Sequence, residues 1–453
     1  MATEPFKMSG PDSKAGAIQL SPAAPPSNQD LPSDGDTSSL LGVIAWLGLI
    51  VTSVPWEASA YTTNQTFFTG EPNSIKLAKA AISVLSLVLS AIAVVTRPTR
   101  YRTTFFPTAL LIFIAITSTI GAALPNVGTT SFGANLIQAI RLVVFGVAAY
   151  LVSKVVPGRS IWRVQLFFLG SIAGLAVFET YLLHLPEYQG RLSVNIPPLQ
   201  PNVVGFACAV FIVYLMARWL TGEAVNRLSL PAVLLAVIFC YLAGSRGALF
   251  GIALALVSVV VVCRTAPRRL ATSVLVLCLA VFAILLVVVV HRLQGPTVFS
   301  HQGVGILTGR QLSWSQVLRG PTTASAFVFG SGLNDLLVPV QAAWYSQQTI
   351  DSSWLGAYAQ SGLVGIATSI WYVLFLYRSA SAVRSSEPER AMGFAVITLI
   401  LFISIFESGM MAQAQLGTTM LALCYYLHSL SDHTDSQLRI GGLQLKRDAG
   451  LLG

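Results

Sequence analysis

The sequence predicts an all-α, polytopic membrane protein with about 12 transmembrane helices and one large external loop. Three observations carry this. Hydrophobic residues make up 54% of the 453-residue chain and charged residues only 10%, against about 25% charged in a soluble protein; the mean hydropathy is +0.70. Apolar runs recur at the length of roughly 20 residues that a bilayer-crossing helix requires. Lys and Arg gather in alternate short loops between those runs, the bias that orients membrane proteins. The net charge of +9 is therefore a topology signal, and no nucleic-acid partner is expected.

Residues 1–38 are rich in Pro, Ser, Asp and Ala without apolar periodicity and read as a disordered cytoplasmic tail. Asp34-Gly-Asp36 has the form of a metal-binding triplet but falls in that tail. Nine spans follow within 39–291, at 40–56, 75–96, 105–124, 133–153, 164–185, 203–218, 229–244, 248–263 and 270–291. The seventh and eighth are short and meet at Gly244-Ser245-Arg246-Gly247, a tight re-entry. Residues 292–353 form the large external loop, and three more spans lie within 354–430, at 354–377, 391–408 and 413–429. Residues 431–453 form a cytoplasmic C-terminal tail.

With the N-terminus inside, every inner loop is basic: Arg97, Arg100 and Arg102; Lys154, Arg159 and Arg163; Arg218 and Arg227; Arg264, Arg268 and Arg269; Arg378, Arg384 and Arg390. The outer face keeps Lys76, Lys79, Arg191, Arg246, Arg292, Arg310 and Arg319. The cysteines Cys208, Cys240, Cys263, Cys278 and Cys424 all fall in apolar runs with no CxxC pair and read as small core hydrophobes. Asn64-Gln65-Thr66 is a formal sequon that reads as chance.

The external loop is where chemistry is expected. A connection of roughly 60 residues is uncommon unless functional or disordered, and Trp314, Phe327, Phe329, Trp344, Tyr345 and Trp354 argue against disorder. Arg310 opens RQLSWSQVLR, in which Arg310, Trp314 and Leu318 recur at helical spacing. A guanidinium grips phosphate oxygens bidentately, so Arg191, Arg246 and Arg310 at one membrane surface suit a lipid-linked diphosphate. The competing reading pairs each with an outer acid such as Glu57, Glu71, Glu187 or Asp335. Arg141, mid-span in ANLIQAIRLVVFGVAAYLV, is either a functional charge or a structural ion pair inside the bundle. Asp351, at the turn into the tenth span, reads by itself as a helix N-cap. His184 reads as a packed histidine; His291 and His301 stand at a span end and in a Gly-rich segment.

Over roughly residues 200–365 the chain resembles the bacterial O-antigen ligase and polysaccharide polymerase superfamily, integral-membrane, polyprenyl-diphosphate-dependent glycosyltransferases. Pro201-Asn202 is similar to that family's NPN-like turn, and Ala243-Gly244-Ser245-Arg246-Gly247-Ala248 to its SRG element. Thr308-Gly309-Arg310 with Trp314, then Gly330-Ser331-Gly332, resembles its GR…W…GxG run. Asp351-Ser352, nine residues, then Gly362-Leu363-Val364-Gly365 keeps the spacing of its His, small polar residue and GxxG. Over the first 190 residues the likeness is only hydropathic. The departure is Asp351, which stands where ligases of the family carry the His proposed as general base.

The resemblance implies inverting, metal-independent transfer or polymerisation of a polyprenyl-diphosphate-linked glycan onto a glycan or glycolipid acceptor. The reaction would take place at the outer face of a bacterial cytoplasmic membrane. Asp351, Arg310 and Arg246 would be catalytic, with Arg246, Arg310, Arg191 and Arg141 holding the donor diphosphate. Trp314, Tyr345 and Trp354 would stack on sugars, or else serve as interfacial anchors or loop-core residues. No cofactor and no metal are expected. The partners are the donor, the acceptor and the lipid bilayer. The alternative is a transporter or flippase for an anionic solute or lipid-linked sugar, which would use Arg141; a third reading is a non-catalytic scaffold in envelope assembly.

Overall fold

A computed structural model describes residues 37–54, 73–96, 101, 103–124, 132–185, 192–195, 198–199, 201–223, 229–263, 310–319, 323–333, 337–339, 347–384, 386–407, 410–411, 414 and 416–431. Structural statements below refer to these residues. The tails expected at 1–38 and 431–453, the span expected at 270–291, and Arg191, His291, His301 and Tyr345 lie outside them, apart from the few tail residues that continue a helix.

The chain is helical. Its helices are α1 (Thr37–Ser53), α2 (Asn73–Thr96), α3 (Phe106–Ala123), α4 (Phe132–Val155), α5 (Gly158–Val177, continued by a π-turn at Phe178–Leu182), α6 (Pro201–Leu220), α7 (Ser229–Leu242), α8 (Arg246–Val262), α9 (Arg310–Arg319), α10 (Ala324–Phe329), α11 (Ser353–Ala382), α12 (Glu387–Phe406) and α13 (416–431). Two short antiparallel ladders, β1 (Val194–Asn195) with β2 (Pro198–Leu199) and β3 (Leu337–Pro339) with β4 (Gln347–Thr349), accompany them. Seven helices, α2 to α6, α11 and α12, are long and apolar enough to cross a membrane, and α1, α7 and α8 are shorter apolar helices. The protein is a multi-pass membrane protein.

Helix starts follow local chemistry. Pro157 is the N-cap of α5, so the helix begins six residues before the expected start at 164. Ser386 caps α12, its hydroxyl accepting from the Glu389 amide, with Pro388 in the first turn, where proline's missing N–H costs nothing. Lys154, Arg159, Arg163, Arg218, Arg378 and Arg390 lie on helices rather than in inner loops. His184 is not packed: it is exposed and left-handed at φ 54°, just beyond the π-turn, as helix-terminating residues often are. Nor is residues 292–353 a plain loop, since α9, α10 and the β3–β4 ladder all fall within it.

The bundle core forms around α13, whose residues from Met420 to Leu427 are at most 4% exposed. A helix apolar on all sides must be buried on all sides. Gly158 at the start of α5 lies against the Tyr425 carbonyl, Gln165 donates to Thr419 Oγ1 at 3.0 Å, and Trp162 stacks on Tyr426 with centroids 6.0 Å apart. Around this pillar α6 packs with α5, α7, α8 and α12, while α4 packs with α2 and α3.

One helix is broken on purpose. Within α11, Gly362 has φ 61° and ψ −151°, a region essentially reserved for glycine. The position of a Cβ on Gly365 would overlap the Ala357 carbonyl. Eight residues along a straight helix are about 12 Å apart, so the chain bends sharply at the break. The break leaves carbonyls of the first segment without intrahelical donors. The turn after α10 supplies them: Ser331 N–H donates to the Ala359 carbonyl at 2.8 Å and Gly332 N–H to the Gln360 carbonyl at 3.1 Å.

Candidate functional site

Helix ends from separate parts of the chain meet at one end of the bundle. Pro201 opens α6, and the next side chain, Asn202, donates through Nδ2 to Glu407 Oε1 at 2.6 Å. Glu407 follows α12 as its C-cap residue. The Glu407 carbonyl accepts from Ser353 Oγ at 2.6 Å, and that hydroxyl in turn accepts from the Met410 amide at 3.1 Å. The beginnings of α6 and α11 are thus tied to the end of α12.

The beginning of α8 joins the same cluster. Gly244 takes φ 60° to turn the chain from α7 into α8, and Ser245 packs so closely on Gly205 of α6 that a Cβ there would overlap it. Arg246 is the first residue of α8 and is exposed. Ser245 makes no side-chain cap hydrogen bond; the Arg246 amide instead donates to the Gly244 carbonyl at 3.1 Å. Gly247 faces the Phe406 ring, and Phe406 stacks with Trp314 of α9 at 6.5 Å between centroids. The Trp314 indole N–H is buried without an acceptor among the described residues.

Asp351 stands two residues before Ser353 in the chain and is half-buried. It is not the N-cap of α11. Ser352 is, its hydroxyl accepting from the Leu355 amide at 3.4 Å.

The other expected site residues fall as follows. Arg310 is the first residue of α9; its side chain lies outside the described residues, as do Arg191 and Tyr345. Trp354 is committed to packing: its indole N–H donates to Ser404 Oγ at 2.9 Å and its ring lies on the core. Arg141 is half-buried on α4 and donates to Gln138 Oε1 of its own helix at 3.1 Å. That helix belongs with α2 and α3, whereas α8 packs on α6 and α12, so Arg141 and Arg246 stand in different helix groups.

Glu407, Ser404 and Phe406 went unnoticed in the sequence. For Glu407 a signal existed. It is the only Asp, Glu, Lys or Arg between Arg390 and Asp432, and a lone acid at the end of an apolar span marks a site by default.

Comparison with protein-family models and with curated proteins finds no match to this chain.

Proposed function

We propose that the protein transfers a polyprenyl-diphosphate-linked glycan onto an acceptor hydroxyl, with inversion at the anomeric carbon and without a metal. The site lies at the outer face of a bacterial cytoplasmic membrane, in a bundle of about 12 spans with both termini inside. The observation that carries this reading is the convergence of the α6, α8 and α11 N-termini beside Arg246. Helix N-termini present amide N–H groups and a positive dipole end, which suit a phosphate-bearing ligand. The indole N–H of Trp314, without an acceptor among the described residues, offers a donor to a sugar hydroxyl on the same side. The orientation is supported by the basic residues of the opposite end, where Lys154, Arg159, Arg163, Arg218, Arg378, Arg384 and Arg390 gather.

The acceptor oxygen attacks the anomeric carbon as the bond from that carbon to the diphosphate oxygen breaks. Asp351 takes the hydroxyl proton, and Arg246 with Arg310 and Arg191 stabilises the charge on the departing diphosphate. An unperturbed carboxylate with a pKa of about 4 is a weaker base than histidine, so orienting the hydroxyl is as much its task as deprotonating it.

The decisive experiment is reconstitution. Purified protein in liposomes is given a polyprenyl-diphosphate-linked oligosaccharide and a glycan or glycolipid acceptor, with EDTA present. Transfer to the acceptor that Arg246→Ala abolishes and Arg246→Lys restores poorly supports the proposal, because lysine lacks the planar fork. Strict dependence on Mg²⁺ or Mn²⁺, or full activity of Arg246→Ala, would overturn it. Movement of the intact donor across the bilayer without transfer would favour the transporter reading.

A further inference from the structure

At the opposite end of the molecule from this cluster, a lateral groove of about 640 Å³ opens between α3 and the long second segment of α11. Phe106, Ala367, Ile370, Trp371, Leu374 and Phe375 line it, with Arg378 at its end. Ala367, Trp371, Leu374 and Arg378 follow one another at spacings of three and four residues, so they form one stripe along the helix. The stripe faces the bilayer, for Trp371 is 63% and Leu374 60% exposed on a helix that spans the membrane. The floor is aromatic: Phe106 lies 4.5 Å from Phe375 and 6.2 Å from Trp371 between ring centroids.

The groove has a charged end. Arg378 is exposed and forms no ion pair with any described residue. Phe105, the chain neighbour of Phe106, meets Tyr150 edge-on, and the Lys154 ammonium lies over that tyrosine ring at 5.0 Å. Arg378 is thus the cation at the groove's end. The volume falls in the range of about 300–1,000 Å³ typical of ligand sites. We propose that this groove is a specific site for one anionic phospholipid, its acyl chain along Trp371 and Leu374 and its phosphate held by Arg378. A guanidinium binds phosphate bidentately, and basic residues next to a span attract anionic headgroups. The net negative charge of the lipid decides the preference, because a zwitterionic lipid gains less from an unpaired cation. The proposal does not depend on which reaction the other end performs.

The test uses full-length protein in detergent, delipidated and incubated with phosphatidylglycerol or phosphatidylcholine carrying a photoactivatable acyl chain. Peptide mapping after irradiation then locates the adducts. Phosphatidylglycerol should label residues 367–378 at least fivefold more than phosphatidylcholine does. Arg378→Ala should erase that preference, and Arg378→Lys should keep part of it, which separates lost charge from lost fold. Ala367→Trp, at an exposed groove position, should block labelling by either lipid while the protein elutes as wild type. Equal labelling by the two lipids, a preference surviving in Arg378→Ala, or adducts spread evenly over the exposed faces of α2 and α7 would each overturn the site.

Discussion

The side-chain amide of Asn202 and the carboxylate of Glu407 meet at 2.6 Å although 205 residues separate them in the chain. This bond joins the start of α6 to the end of α12. A hydrogen bond to a charged group contributes about 1.5–3 kcal/mol, so Asn202→Ala and Glu407→Ala should each destabilise the protein by roughly that amount. The double variant should be little worse than either single one, because both remove the same bond. Unfolding in detergent micelles measures it, and additive losses would show that the two side chains act independently.

Asp351→Asn separates chemistry from folding. Ser352 caps α11, so the change leaves the cap in place and stability near wild type. Glycan transfer should nevertheless fall about 10²–10⁴-fold if a proton acceptor is lost. Ser352→Ala should do the reverse, costing about 0.5–2 kcal/mol of stability with a smaller effect on transfer per folded molecule. Rates from a purified lipid-linked donor between pH 5 and 9 compare the two, and an Asp351→Asn enzyme as fast as wild type removes Asp351 from the mechanism.

Gly362→Ala should destabilise strongly. The backbone conformation alone costs about 1–3 kcal/mol for a residue with a side chain, and the added methyl would overlap the Val328 carbonyl. The same argument applies to Gly330, at φ 74° against the Gln360–Ser361 peptide. Both alanine variants should show lowered thermal stability in detergent, whereas alanine at exposed Gly170, where a Cβ meets nothing within 4 Å, should not.

Single cysteines at Gln302 and Gln437, introduced after replacing the five native cysteines, test the orientation. A membrane-impermeant maleimide applied to intact cells should label position 302 and spare position 437. Labelling at 437 alone reverses the proposed orientation and with it the outward-facing site.

Hydropathy and charge alone determined that this chain crosses a membrane repeatedly. The ends of α2, α3 and α4 lie within two residues of where the apolar runs end, because burial of backbone in lipid leaves little choice but helix. Helical spacing in RQLSWSQVLR likewise marked α9 within an apparently irregular segment. The start of α5 and the cap of α11 were set by neighbours. Pro157 and Ser352, rather than the first apolar residue or the nearest carboxylate, satisfy or terminate the backbone there. Only the tertiary structure explained why Gly330, Gly332 and Gly362 recur where they do: the broken α11 exposes carbonyls that a turn some thirty residues earlier fills. It also brought Glu407 to Asn202 and Trp314 to Phe406. Those contacts join chain segments far apart in sequence, and no local periodicity records which helix ends will meet once the bundle packs.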